Sequence, residues 1–256
     1  MNFLSMVGVE IKKIKRSKIL LIMLAAAVIL WMPSIFNVRL NFGMQAEGIS
    51  PEDNFFIQGF MAMAWFMFPA SMVVGTVLMS QTERADKGIM KMLALPVPTA
   101  GLCLAKFAVL LILAAAQILM MTGMYYISAA ICCVTQDYGF VLPPLFVSKE
   151  IGRIFFAAIP MLSFFWMLSV CIQTPIFSMG IGLASIVPSV LVINTKMWFA
   201  YPMSYPFFVI VSEYGKLAVN LETAQVELFP WIPVAAIFTI FCLSVSCIRF
   251  GQAERR

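Results

Sequence analysis

The chain is poor in the residue types that perform bond chemistry. It contains no histidine, which excludes serine–histidine triads, HExxH zinc sites and haem ligation by histidine. Its six cysteines form no CxxC pair, and most lie in apolar runs where a thiol behaves as a small hydrophobic group. Neither GxxxxGKS nor GxxxxGKT occurs, so any ATP must be bound by another subunit. We therefore expect no catalytic residue, no cofactor and no metal in this chain.

The charged residues with the most informative spacing lie in segment 83–98. Glu83 and Lys87 form an i, i+4 pair in the favourable order. An apolar stripe follows the same predicted helix until Pro96 stops it. The charged side chains that project from the stripe are Glu83, Arg84, Asp86, Lys87 and Lys91. The pattern suits a docking helix for a partner protein, and it suits an ordinary solvated loop helix equally well.

Long uncharged runs separate the charged segments and must position them. The chain of 256 residues is 62% hydrophobic and 11% charged, whereas a soluble domain is about a quarter charged. A helix needs about 20 apolar residues to cross a bilayer, and these runs do not alternate as barrel strands do. We predict an all-α integral membrane protein with six transmembrane helices in one domain. The predicted spans are 19–38, 55–82, 107–136, 154–174, 176–193 and 229–248.

Two further helical elements are predicted beside the spans. Residues 1–18 form a basic amphipathic helix that suits the membrane interface. Residues 194–228 form an element between spans five and six that re-enters the membrane or lies on its outer surface. Pro202 and Pro206 interrupt its apolar part, which is too short to cross. A separate short polar helix is expected near residues 213–227.

The distribution of charge predicts the orientation. The predicted cytoplasmic pieces hold 12 of the 17 lysines and arginines but only 4 of the 12 acidic residues, which is the positive-inside pattern. Both termini and segment 83–106 therefore face the cytoplasm, and residues 194–228 face outside. A seventh span across 197–211 would place the basic C-terminal tail outside, so we exclude it. This topology accounts for the net charge of +5 without any binding of nucleic acid.

Polar side chains are sparse within the predicted spans. Gln117 lies deep in span three, where we expect an interhelical hydrogen bond rather than a role in transport. The predicted spans contain no charged residue, which disfavours a proton- or sodium-coupled carrier. Span two is rich in methionine and aromatic residues. That composition suits an amphipathic peptide substrate, although packing and lipid contact explain it more simply.

Three pieces of sequence together have a familiar arrangement. They are the basic helix from Glu10 to Lys18, the loop Glu83-Arg84-Ala85-Asp86-Lys87-Gly88 running into Leu93-Ala94-Leu95-Pro96-Val97, and Ala105-Lys106 at the start of span three. With the six-span order, they resemble the permease subunit of a type-2 ABC exporter. The resemblance implies that residues 83–95 form a coupling helix whose charged face binds an ABC ATPase. It further implies two ATPase copies that hold ATP and magnesium, a second related permease or a second copy of this one, and a place in the bacterial cytoplasmic membrane.

Within that family the chain is similar to the short permeases of lantibiotic self-immunity transporters. The similarity rests on its small size, on Ile49-Ser50-Pro51-Glu52-Asp53-Asn54-Phe55-Phe56 and on Trp198-Phe199-Ala200-Tyr201-Pro202. It implies that the complex expels a lantibiotic or a similar amphipathic antimicrobial peptide and so gives immunity. Two alternatives stay open. One is an exporter of another amphiphile, such as an antibiotic, a lipid or a polysaccharide, and the other is a membrane scaffold that transports nothing.

Overall fold

The structure is a computed structural model that describes residues 2–15, 17–43, 48–84, 98–218 and 228–252. Within these ranges every regular element is helical, which confirms the predicted all-α membrane fold. An N-terminal helix, Phe3–Lys15, precedes six segments that are long and apolar enough to cross a membrane. These segments, called spans one to six, are Ile19–Phe36, Pro51–Gln81, Thr99–Gln136, Pro144–Cys171, Pro175–Val192 and Leu228–Gln252.

Three of the helices begin several residues before the apolar runs seen in the sequence. Span two begins at Pro51, which occupies the first helical position, and the Ser50 hydroxyl accepts a hydrogen bond from the Asp53 N–H at 3.3 Å. Span three begins directly after Pro98, and span four begins at Pro144. Capping residues and prolines thus set these helix starts. The charged residues that bounded the apolar runs therefore lie inside helices.

Aromatic rings fill the core between spans one, two and three. Trp31 of span one is fully buried and donates its Nε1–H to the Met121 carbonyl at 2.8 Å. Its ring centroid lies 5.4 Å from that of Tyr125 in span three. A Cβ added at Gly59 would lie 2.2 Å from the Trp31 ring. Span two can therefore cross the indole this closely only with glycine at that position.

Gln117 is fully buried in the middle of span three. Its Nε2 donates a hydrogen bond to the Met23 carbonyl of span one at 3.2 Å. This confirms the predicted interhelical hydrogen bond. Because the neighbouring surfaces are apolar, the bond also fixes how span one is rotated against span three.

Span two contains a π-helical turn, Met63–Met67, between the helices Pro51–Ala62 and Phe68–Arg84. Such turns insert one extra residue and occur frequently at functional sites. Met63 is fully buried, whereas Trp65 and Phe66 are 36% and 40% exposed. The turn therefore carries two adjacent aromatic rings on the outside of the bundle.

Between spans five and six, the described residues form two short 3₁₀ turns, Trp198–Ala200 and Pro202–Ser204, followed by the helix Tyr205–Leu217. The apolar stretch 197–211 is interrupted before Pro202, as predicted, because Tyr201 is extended between the two turns. Pro202 and Pro206 both occupy the first turn of a helical segment, where proline starts a helix instead of breaking it. A separate polar helix was expected near residues 213–227. Residues 213–217 instead end the 205–217 helix, and residues 219–227 lie outside the described part of the chain.

Close contacts show which elements share an end of the bundle. The Met6 side chain of the N-terminal helix lies 3.6 Å from the position of a Cβ added at Gly101. The Thr99 hydroxyl lies 3.1 Å from the position of a Cβ added at Gly251. The N-terminal helix, the start of span three and the end of span six therefore lie together at what we call the proximal end. The start of span four and the 205–217 helix lie at the opposite, distal end.

Candidate functional site

The predicted coupling segment joins span two to span three at the proximal end. The helix of span two continues to Arg84. Glu83 therefore belongs, like Arg84, to the last turn of that helix, although the structure describes the side chain of neither residue. Outside the described ranges lie Asp86, Lys87 and Lys91. The coupling role of all five residues stays a prediction.

A buried ion pair at the proximal end fastens the N-terminal helix to span three. Lys106 Nζ lies 3.0 Å from Glu10 Oε2, and Lys13 Nζ lies 2.6 Å from Glu10 Oε1. The Lys106 side chain is 0% exposed and that of Glu10 only 6%, whereas that of Lys13 is 36% exposed. A charge this deeply buried is tolerated when it is paired and hydrogen-bonded. Glu10 therefore compensates the Lys106 ammonium.

The helical periodicity of the N-terminal helix explains how Glu10 reaches span three. Met6, Val7 and Ile14 are buried at positions i−4, i−3 and i+4 from Glu10, so all four side chains share one face. The helix packs this face against span three. Glu10 and Lys106 belong to two separate pieces of the sequence resemblance, and the structure joins them in one contact.

A second charged network lies at the distal end and links span four to the 205–217 helix. Arg153 Nη1 lies 2.9 Å from Glu150 Oε1 and 3.1 Å from Glu213 Oε2. Lys216 Nζ lies 2.9 Å from the same oxygen of Glu213. This network was not predicted from the sequence, because its members come from two distant segments. The available signal was the i, i+3 spacing of opposite charges within each segment.

An aromatic corner holds the 205–217 helix in place. The Trp198 ring stacks on Phe208, with ring centroids 3.6 Å apart and planes tilted by 12°. The Tyr205 hydroxyl donates a hydrogen bond to the Phe199 carbonyl. Burial raises the pKa of Tyr205 to about 12, so the hydroxyl keeps its proton and stays a donor at physiological pH. The chain therefore folds back on itself through the sequence Trp198-Phe199-Ala200-Tyr201-Pro202.

An apolar cleft opens beside the distal network, between span four, span six and the 205–217 helix. Its volume is about 820 Å³. Phe156 and Ile232 form part of its apolar walls. Lys149 and Arg153 line the cleft close to the start of span four. Trp231 also lines the cleft, and its Nε1–H is buried without a hydrogen-bond partner among the described residues. The cleft therefore combines an apolar body with polar donors.

The 205–217 helix also contacts span two. The ring of Phe207 lies 6.4 Å, centroid to centroid, from that of Trp65 in the π-helical turn. The same helix binds span four through Glu213. It therefore connects the distal network to the helix that runs into the predicted coupling segment.

The thiols form no chemical centre in this arrangement. All six cysteines are free. Cys103, Cys132 and Cys242 are buried as predicted, whereas Cys133 and Cys247 are half-buried and Cys171 is exposed. Cys103 Sγ accepts a hydrogen bond from the Trp166 Nε1–H at 3.4 Å. Among the described residues, no group of three His, Cys, Asp or Glu side chains is placed to hold a metal ion. The described role of Cys103 is to join span three to span four through its hydrogen bond with Trp166.

Comparison with known proteins places the chain in a family. Residues 6–189 match the family model of the ABC-2 family transporter proteins, from the N-terminal helix to span five. The chain matches no curated protein and no solved structure. The family match covers more than half of the 256 residues. The chain therefore belongs to the ABC-2 transporter family, as the membrane permease component of an ABC transporter whose ATPase is a separate subunit.

Proposed function

We propose that this permease expels a lantibiotic or a similar amphipathic antimicrobial peptide from the bacterial cytoplasmic membrane and so confers immunity. Two copies of the partner ATPase bind ATP and magnesium and drive the movement. A second related permease, or a second copy of this chain, completes the membrane assembly. Both termini face the cytoplasm, and the 194–228 element lies in the outer leaflet without crossing.

The observation that carries the substrate class is the exposed apolar surface of span two. Trp65 and Phe66 lie on the outside of the bundle at the π-helical turn. Exposed aromatic rings beside methionine form an adaptable apolar surface that suits irregular partners. Met63 and Met72 are fully buried, so packing explains those two residues. A peptide that moves laterally within the bilayer would meet the exposed part of this surface.

The proposed drive passes through residues 83–95. In this proposal Glu83, Arg84, Asp86, Lys87 and Lys91 contact the ATPase, which closes on ATP. Span two ends in this segment, so a displacement there moves span two and its π-helical turn. Contact between Trp65 and Phe207 carries the displacement to the distal end. The permease then alternates between two bundle arrangements that the nucleotide state of its partner biases.

The test is resistance in a sensitive host that expresses the permease with its ATPase and companion permease. The double variant Trp65→Ala with Phe66→Ala should lower the tolerated peptide concentration, while ATPase co-purification stays normal. The matched control is Ile127→Ala with Ile131→Ala, which trims two exposed side chains of span three and should retain resistance.

Three outcomes of this experiment would overturn the proposal. Equal resistance in the double variant and the parent would show that Trp65 and Phe66 of span two do not contact the substrate. Expulsion of another amphiphile without peptide resistance would favour a lipid or antibiotic exporter. Failure to co-purify any ATPase would favour a scaffold.

A further inference from the structure

We propose that the apolar cleft at the distal end binds one anionic phospholipid from the leaflet on that side, which is the outer leaflet in the predicted topology. The site is separate from the exposed rings of span two, so it does not depend on the identity of the transported substrate. Its length, its lateral opening and its charge each point to this occupant.

The cleft has the length of one leaflet. On span four it runs from Ser148 to Pro160, and on span six it runs from Leu228 to Ile240. Twelve residues of helix rise about 18 Å. The hydrocarbon core of a bilayer is about 30 Å thick, so one leaflet accounts for roughly half of that. An acyl chain that reaches from the headgroup level to the midplane therefore fits the length of the cleft.

The cleft opens sideways from the bundle. Phe156 on span four is 70% exposed, and Ile232 and Ile240 on span six are 55% and 65% exposed. In a membrane protein, exposed apolar residues at this position contact lipid. A volume of about 820 Å³ is within the usual range for a site that takes a small molecule. A lipid can therefore enter from the bilayer without any opening of the bundle.

Small residues create the space inside the cleft. The cleft is lined by Gly152 and Ala157 of span four and by Ala235 and Ala236 of span six. A Cβ added at Gly152 would meet no atom within 4 Å. The cleft can therefore be filled by substitution at Gly152 without a clash, which gives a direct way to block it.

The charged side chains at the distal end of the cleft favour a lipid with a negatively charged headgroup. Glu150 and Glu213 are compensated by Arg153 and Lys216, so these four residues are neutral together. Lys149 lines the cleft, is exposed, and forms no ion pair within the described part of the chain. It adds one positive charge at the headgroup level, where a lysine attracts anionic lipid.

An indole ring lines the same end of the cleft. Trp231 lies in the first turn of span six. Indole rings are common at the headgroup level of membrane proteins, so the ring suits the position proposed for the lipid headgroup.

The binding test uses the full chain, purified in detergent and analysed by native mass spectrometry. The probes are phosphatidylglycerol and phosphatidylethanolamine, added separately at equal concentration. We expect the parent to retain phosphatidylglycerol at least tenfold better. Lys149→Glu should abolish this preference, and Gly152→Leu should reduce the retention of both lipids. The matched controls are Lys196→Glu and Gly123→Leu, which change an exposed lysine and an open glycine elsewhere and should behave as the parent does.

Equal retention by the parent and by both cleft variants would overturn the lipid site. A photo-crosslinking residue in place of Ile232 distinguishes a lipid from the other molecules that could occupy the cleft. We expect a cross-link to lipid. A cross-link to a second permease, or to the transported peptide, would overturn the proposal. Lipid retention is measured without ATPase or peptide. The lipid proposal can therefore be overturned while the transport proposal stands, and the transport proposal can be overturned while the lipid proposal stands.

Discussion

The two ends of the bundle hold charge in different ways. At the proximal end the Glu10 and Lys106 side chains are 6% and 0% exposed. At the distal end exposure rises from 1% at Glu150 to 34% at Arg153 and 43% at Lys216. Water can replace the partners of the exposed distal side chains when that network opens, whereas the proximal Lys106 ammonium is fully buried. We infer that the N-terminal helix moves with span three as one body, whereas the 205–217 helix can separate from span four.

Removal of the proximal acid should have the largest effect. Glu10→Gln removes the carboxylate oxygen that lies 3.0 Å from Lys106 Nζ, and breaking a buried pair in this way costs about 3–5 kcal/mol. We expect a much shorter half-life of the detergent-solubilised protein at fixed temperature, measured by size-exclusion chromatography. Lys12→Gln, at an exposed position on the same helix, is the control and should change little.

The double variant Glu10→Gln with Lys106→Met tests the cause of that loss. A methionine fills similar space without a charge, so much of the lost half-life should return. If the double variant is no more stable than Glu10→Gln alone, the buried charge is not the reason for the instability.

A smaller loss is expected when the buried acid at the distal end is neutralised. Glu150→Gln keeps the shape of the side chain, and Arg153 retains its second partner Glu213 at 3.1 Å. A hydrogen bond to a charged group contributes about 1.5–3 kcal/mol, which sets the expected loss of stability. A loss as large as that of Glu10→Gln, in the same half-life assay, would remove the contrast between the two ends.

The exposed edge of the distal network should contribute least. Lys216→Gln removes a pair whose lysine is 43% exposed, and such surface pairs contribute about 0–1 kcal/mol. The small effect should vanish in high salt, because exposed charges are screened. Half-lives in low and high salt provide the measurement. An effect that persists unchanged in high salt would mean that this pair is closed to water.

The sequence predicted the helical fold because membrane spans need long apolar runs, and such runs are visible without any structure. It did not predict where the helices begin. Lys106 ended an apolar run and was placed outside span three, yet the helix starts at Thr99. Hydropathy shows which residues lie in the hydrocarbon of the membrane, whereas capping residues and prolines show where a helix begins or ends. The two boundaries differ wherever a helix extends beyond the hydrocarbon.

The ion pairs could not be predicted for a different reason. Glu10 and Lys106 are 96 positions apart, and no local rule joins them. The i, i+3 spacing could have indicated the pairs of Glu150 with Arg153 and of Glu213 with Lys216, but it could not show that Arg153 binds both acids. Tertiary packing decides which charged faces meet, and that packing depends on side chains such as Trp31 and Gly59 that lie elsewhere in the bundle.

Topology can be tested with almost no perturbation of stability. Single cysteines placed at Lys87 and Lys216, in a background without native cysteines, should react from opposite sides of the membrane with an impermeant reagent. The first position is predicted to be cytoplasmic and the second to face outside, because the charge distribution follows the positive-inside pattern. Labelling of both from the same side would contradict the six-span topology and would place the cleft in the other leaflet.

Charge reversal at the predicted coupling segment tests most directly whether residues 83–95 couple the permease to its ATPase. Glu83→Lys should leave membrane expression normal, because residue 83 follows the apolar segment of span two, which ends at Gln81. It should reduce ATPase co-purification and transport, since like charges would then oppose each other at the interface. Normal expression with lost coupling is the predicted result. Full transport by Glu83→Lys combined with Asp86→Lys would contradict it and would leave residues 83–95 as an ordinary loop helix.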